Sequence, residues 1–307
     1  MPEATQMVND LYNSLEFKRE VEEVDLTTSK MTATRLTETK VECLVDEKDY
    51  YVYYFVLRYP SRTLIFVNSI DCLRRLSSLL HSLEVECLTL HADMQQRQRL
   101  KNMDRLRNNP KAVMVCTDVA ARGLDVPEVE HVIHYQVPRT SELYVHRSGR
   151  SARGANGEGL SLLLIGEKER DSYKKIMYVL DRSDDLEPFP VTAHYLLAVR
   201  ERVKLARRLD KAQHKQNRAA SQEGWLKKMA EEADLDIDDD LELEIDEKKT
   251  KKKEKTEVEQ MRRELKALLK QPLFPKGTFS PRYPTLGTMD PLNNKLEQKS
   301  ALTAMSR

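Results

Sequence analysis

Two arginines three residues apart, Arg150 and Arg153, stand in the string VHRSGRSARG with glycines at Gly149 and Gly154. Guanidinium forks at that spacing, on a loop or helix end where glycine lets the backbone come close, suit clamping a phosphoryl group in transfer. A basic loop is more commonly just a solvated surface, so the neighbouring strings decide.

Upstream, VMVCTDVAARGLDVP carries a short apolar run that ends in Thr117 and Asp118 and passes through Gly123 to Asp125. The run reads as a buried strand, and polar groups at its C-terminal end stand where open α/β sheets bind ligands. LTLHADMQQRQR repeats the arrangement, with Gln96 and Arg99 at i, i+3 on one helix face. TLIFVNS does so again and ends in Asn68 and Ser69.

In this order the strings resemble the C-terminal motifs of the DEAD-box RNA helicases. TLIFVNS resembles motif IV, HADMQQRQR the family's HGxMxQxxR, TDVAARGLD motif V, and HRSGRSARG the family's HRxGRTGRxG. Ala92 replaces a glycine of that pattern and Ser151-Ala152 replaces Thr-Gly, departures that bear on turn geometry. DEKDYYVYYFVLRYP, HVIHYQVPRTSELYVHRSGR and QPLFP are similar to a vertebrate and fungal branch associated with large ribosomal subunit assembly in the nucleolus.

The resemblance implies the second RecA-like lobe of a two-lobed enzyme: a three-layer α/β fold on a parallel sheet, with ATP and Mg²⁺ held between the lobes. It makes Arg150 and Arg153 catalytic arginine fingers that reach the γ-phosphate across the cleft. Gly123 and Asp125 join them in binding ATP, Asp125 through the ribose. Asn68, Ser69, Gln96, Arg99 and Thr117 fall to the RNA side, while Asp118, Arg122, His146 and Arg147 couple the lobes. Contacts to phosphates and 2′-hydroxyls imply RNA binding that tolerates sequence. The partners implied are RNA, in ribosomal or pre-ribosomal form, and the first lobe.

Of the 9 glycines none precedes a lysine, so the chain has no phosphate-cradling GxxxxGK[ST], and it has no DEAD or SAT string. Glu232-Ala233-Asp234 spells part of the acidic motif, but it follows a helical pattern and opens an acidic run, which makes it a chance match. The Mg²⁺ ligands are therefore expected from the first lobe, with no metal site in this chain. Two readings stand: a piece of a helicase whose residues act only with the first lobe, or an RNA-binding or assembly-partner module without ATPase activity. Met1 fits either.

Hydrophobic content of 40% against 33% charged, with a mean hydropathy of −0.63, suggests one compact core with long polar flanks in the 307 residues. A net charge of +1, from 51 basic and 50 acidic residues, does not itself advertise nucleic acid, so any basic surface must arise by local segregation. Cys43, Cys72, Cys87 and Cys116 lack CxxC spacing and lie in apolar runs, as reduced core residues of a nuclear or cytosolic protein do. No apolar stretch approaches the roughly 18 residues that span a bilayer, and no basic-then-apolar signal opens the chain, so no membrane partner is expected.

Residues 1–36 read as a linker. From 37 to 182 strands and helices alternate, with strands through Cys43, at Thr63–Val67, Cys87–Leu90, Ala112–Cys116, His131–Tyr135 and Gly159–Leu164, the pattern of a parallel sheet covered on both faces. Tyr50, Tyr54 and Leu57 recur at helical spacing, which favours packing over a base-stacking platform. His91 ends a strand and reads as either a local hydrogen-bonding group or a site residue, whereas His146 sits inside the motif. A helical extension follows over 183–233, where Leu196, Val199, Val203 and Ala206 form an apolar stripe and Arg200, Arg202, Lys204, Arg207, Arg208, Lys211 and Lys215 cover the remainder. The basic face admits plain solvation, RNA-backbone contact or a protein partner. A charged segment at 234–256 reads as disordered, with its lysines a candidate nuclear address or RNA-contacting patch. A short helix at 257–270 precedes a disordered tail at 271–307.

Overall fold

The computed structural model describes residues 35–118, 129–152, 158–182, 184–232 and 241–274. The expected linker and tail lie almost wholly outside these residues, as do Arg122, Gly123, Asp125 and Arg153. The strands are β1 (Leu36–Glu42), β2 (Thr63–Val67), β3 (Cys87–Leu90), β4 (Val113–Thr117), β5 (His131–His134), β6 (Gly159–Ile165) and β7 (Glu187–Pro188). They form one sheet of order β3-β4-β2-β5-β6-β1-β7 in which every pairing is parallel. All strands therefore end on one edge, and the polar residues that follow them meet there.

Alternation along the strands divides the core. Ile65, Val67, Val115, Ile133, Leu162 and Leu164 face α1 (Lys48–Arg58) and α2 (Ile70–Ser82). Leu64, Phe66, Met114, Cys116 and Val132 pack with Met103 and Leu106 of α3 (Gln96–Asn108). Leu163 and Ile165 pack with Tyr144 of α4 (Ser141–Ser148) and with Tyr173, Ile176 and Met177 of α5 (Arg170–Val179). The aromatic cluster of α1 belongs to the core: Tyr50, Tyr53, Tyr54 and Phe55 are buried and Tyr51 is half-buried against them. The helix stops at Tyr59, whose backbone leaves the helical region (φ −126°, ψ 72°), as the residue before Pro60 must to avoid the proline ring.

The lobe does not end near Arg182. The strand β7 extends the sheet beside β1, and α6 (Ala193–Glu232) lays Val199, Val203, Ala206 and Leu209 into the same core cluster as α1 and α2. The apolar stripe read from the sequence thus covers the lobe as an outer layer. A further helix, α7, runs over Leu241–Lys270 rather than 257–270 and takes in much of the segment expected to be disordered. That segment lacks proline and glycine, and Glu precedes Lys by four at 244/248 and 247/251, a spacing that supports helix. Lys215 Nζ pairs with Glu254 at 2.8 Å and Arg202 Nη2 donates to the Gln271 carbonyl at 2.6 Å, so α6 and α7 run antiparallel. Val258 and Leu265 of α7 complete the core cluster.

Candidate nucleotide and RNA site

The centre of the strand-end edge is Arg147, only 2% exposed, in the last turn of α4. Its Nε and Nη2 donate to the two carboxylate oxygens of Asp118 at 2.5 and 2.7 Å. The same Nη2 donates to Asn68 Oδ1 at 2.7 Å, and Nη1 donates to the Gln136 carbonyl at 3.0 Å. The guanidinium also lies over Phe66, 5.3 Å from the ring centroid. One side chain thus ties the segments that follow β2, β4 and β5. Its planar fork fits this role, because an arginine can serve several acceptors in fixed geometry where a lysine cannot.

The second side of the clamp is Gln136. Its Oε1 accepts from the Asn68 backbone N–H at 2.8 Å, while Asn68 Nδ2 donates to the Val137 carbonyl at 3.0 Å. Asn68, Asp118 and Arg147, assigned by resemblance to different duties, form one cluster. Gln136 lies outside the motif strings. Its signal was weak: a polar residue at the end of the apolar run HVIHY, before Pro138.

The other site residues surround this cluster. Ser69 is exposed and caps α2, its Oγ accepting from the Cys72 N–H at 3.2 Å. Thr117 is the buried last residue of β4. Gln96 is exposed at the start of α3, and Arg99 is half-buried one turn later. His146 is exposed and His91 half-buried. Beneath the cluster His134 is fully buried, its Nε2 within 3.2 Å of Ser148 Oγ and 3.1 Å of Ser161 Oγ. Burial, reinforced by the charge of Arg147, holds His134 well below the usual histidine range, so it acts as a neutral hydrogen-bonding group. Burial likewise pushes the Cys116 thiol up, which removes it as a nucleophile.

Arg150 is half-buried in the turn that leaves α4, its N–H bonded to the Arg147 carbonyl at 3.1 Å. Ser151 Oγ donates to the Glu130 carbonyl at 2.8 Å, and Ser151 bridges to Val129. The turn lies so close to β6 that a Cβ on Gly159 would fall 1.9 Å from Ser151 Oγ. Ala152, where the resemblance places glycine, has φ 57°. That left-handed conformation costs an L side chain about 1–2 kcal/mol. Ala152→Gly is therefore expected to stabilise the protein by about 0.5–1 kcal/mol, relief of the strain exceeding the entropy added to the unfolded chain. A higher urea midpoint at unchanged m value is the result to look for.

A doubly covered parallel sheet with a buried arginine clamp at its carboxyl edge agrees with the Helicase conserved C-terminal domain, whose profile matches residues 46–155, from the start of α1 through the Arg150 turn. The chain belongs to the DEAD-box RNA helicases, as a C-terminal lobe. Within them it is similar to ATP-dependent RNA helicase DDX24 of Homo sapiens, 42% identical over 287 residues, 92% of this chain and 33% of that protein. The ddx24 of Dictyostelium discoideum is 44% identical over 97% of this chain and 32% of its own length. The mak5 of Schizosaccharomyces pombe is 38% identical over 87% of this chain and 41% of its own length. The chain thus spans about a third of the length of the DDX24 relatives. Mss116p, solved with single-stranded RNA and AMP-PNP, shares the fold at a TM-score of 0.50 over 58% of this chain and 36% of that one, with 22% identity.

Proposed function

We propose that this chain is the second lobe of an ATP-dependent RNA helicase acting on ribosomal or pre-ribosomal RNA in the nucleolus. The observation that carries this reading is the clamp: one buried guanidinium fixes the ends of β2, β4 and β5 at once. Preorganised groups of this kind are what positioning and charge stabilisation require in phosphoryl transfer. Arg150 and Arg153 act as the fingers on the γ-phosphate, and Gly123 and Asp125 hold the rest of ATP. Asn68, Ser69, Gln96, Arg99 and Thr117 present the RNA side of the edge, with Asp118, Arg122, His146 and Arg147 linking it to the first lobe. Mg²⁺ is held by the first lobe. The branch names DDX24 and mak5 support the ribosome-assembly setting.

The test is ATP turnover with and without a first lobe that bears GxxxxGK[ST] and DEAD. The chain alone is expected to show no RNA-stimulated hydrolysis, and joining the first lobe is expected to create it. Hydrolysis by the chain alone, or none after joining, would overturn the two-lobe reading; the second result would favour an RNA-binding or assembly-partner module.

The extension adds a second basic surface. Arg200, Arg202 and Arg207 are engaged within the molecule, whereas Lys204, Arg208, Lys211 and Arg218 are exposed at i, i+4, i+7 and i+14 along α6. Exposed Trp225 continues the same face. Cations in a row ending on an aromatic ring suit a nucleic-acid backbone and one stacked base. In a salt series with single-stranded RNA, Lys204→Glu with Arg208→Glu and Lys211→Glu is expected to flatten the log–log slope by about 0.7 per lost phosphate contact. An unchanged slope would leave this face to a protein partner. Charge reversal is preferred to truncation at Arg182, which would strip core residues from the lobe.

A further inference from the structure

The extension reaches the clamp through a buried carboxylate. Asp49, in the first turn of α1, has a side chain with no solvent exposure. It accepts from Arg75 Nη1 at 2.9 Å and Nη2 at 3.1 Å, from the Tyr135 hydroxyl at 2.8 Å, and from Arg207 Nε of α6 at 2.8 Å. Arg75 also donates to the Tyr135 hydroxyl at 2.5 Å. Two guanidiniums and a phenol thus share one carboxylate, and one of the guanidiniums comes from the extension.

Tyr135 is the chain neighbour of Gln136. The Tyr135 carbonyl accepts from buried Lys48 Nζ at 2.8 Å, and Lys48 pairs with Glu169, which accepts from the Val137 N–H at 3.3 Å. The segment 135–137 is therefore held on one side by Asp49, Lys48 and Glu169. On the other side it holds Asn68 and Arg147. Neither side can shift without moving the peptide units it shares with the other.

We infer that Arg207 and Asp49 are positioning residues for the Arg147 clamp, so that docking of the extension helix sets the order of the strand-end site. Docking at Arg207 tightens the grip on the Tyr135 hydroxyl, which steadies Gln136 and with it the Asn68–Arg147–Asp118 arrangement. An extension drawn away by a partner would loosen the same site. Coupling of this sort requires a contiguous set of packed and hydrogen-bonded groups, and each link here is a named hydrogen bond or a peptide bond. The consequence for catalysis rests on the helicase reading above; the coupling itself does not.

A matched pair of variants in the full 307-residue chain tests it. Arg200 also joins α6 to the lobe, through Glu47, and like Arg207 it lies over the Tyr50 ring, but it does not touch Asp49. The reporters are hydrogen exchange of the Asn68 amide and of Arg147 Nε–H, read by NMR. Arg207→Ala is expected to speed both by about fivefold or more, within the range such couplings reach, while Arg200→Ala leaves both as in the wild type. Arg207→Lys, which restores the charge, is expected to recover part of the protection. Equal acceleration in both alanine variants would mean that the extension merely stabilises the lobe, and no acceleration in Arg207→Ala would sever the link. Either result overturns the inference without touching the helicase reading, which rests on turnover.

Discussion

Arg150→Ala or Arg153→Ala, in a protein that carries both lobes, is expected to lower RNA-stimulated ATP turnover by about 10³-fold or more if the two are the proposed fingers. A finger supplied across a cleft acts on charge that develops only in the transition state, so the loss falls on kcat and kcat/KM together, while KM for ATP moves little. Arg150 is suited to such reach by its place. Its turn is braced by the hydrogen bonds from Arg150 N–H to the Arg147 carbonyl and from Ser151 to Glu130, and by the close pass of Gly159. Arg147→Ala should differ in kind. Its buried guanidinium serves Asp118, Asn68 and Gln136, so its removal should lower thermal stability as well as turnover. Normal turnover with only a lower melting temperature in Arg150→Ala would make that residue structural.

The strands were legible because short apolar runs bounded by polar turns leave little choice. Thr63–Val67 and Cys87–Leu90 have the bounds that their residues suggest. The motif strings located the edge but not its wiring. The resemblance makes Arg147 a coupling residue; its burial and its Gln136 contact depend on which strands lie side by side, and the order β4-β2-β5 is not written in any local pattern. The extension misled for a related reason. Its stripe of Leu196, Val199, Val203 and Ala206 marks a helix, yet the basic residues beside it admit plain solvation, RNA contact or a protein partner alike, and none of these places the helix on the lobe. Arginines with long apolar stems can flank a buried stripe and still find acceptors, as Arg200, Arg202 and Arg207 do. Asp49 carries a readable signal. It shares a helical face with Val52, Tyr53 and Val56, and a carboxylate on an apolar face must be paired when it is buried.

That pairing sets the second large effect. Asp49→Ala is expected to destabilise the protein by about 3 kcal/mol, the low end for breaking a buried ion pair, because Arg75 and Arg207 keep part of their surface in water. Burial by itself would raise the Asp49 pKa, but the hydrogen bonds and charge of Arg75, joined by Arg207, outweigh it and hold the carboxyl below its usual value of 3.8. The unfolded chain therefore takes up this proton before the folded one does. The stability Asp49 contributes is whole above about pH 4 and is lost as the pH falls further, through the lowered folded value. Asp49→Asn removes that proton uptake, so its stability should fall less steeply below about pH 4 than that of the wild type, from a lower starting level. Urea unfolding at a series of pH values measures both quantities. Parallel curves for wild type and Asp49→Asn would show that folding leaves the Asp49 pKa unshifted, so that Arg75 and Arg207 do no more than offset its burial, and with that would go the account of how α6 is held against the lobe.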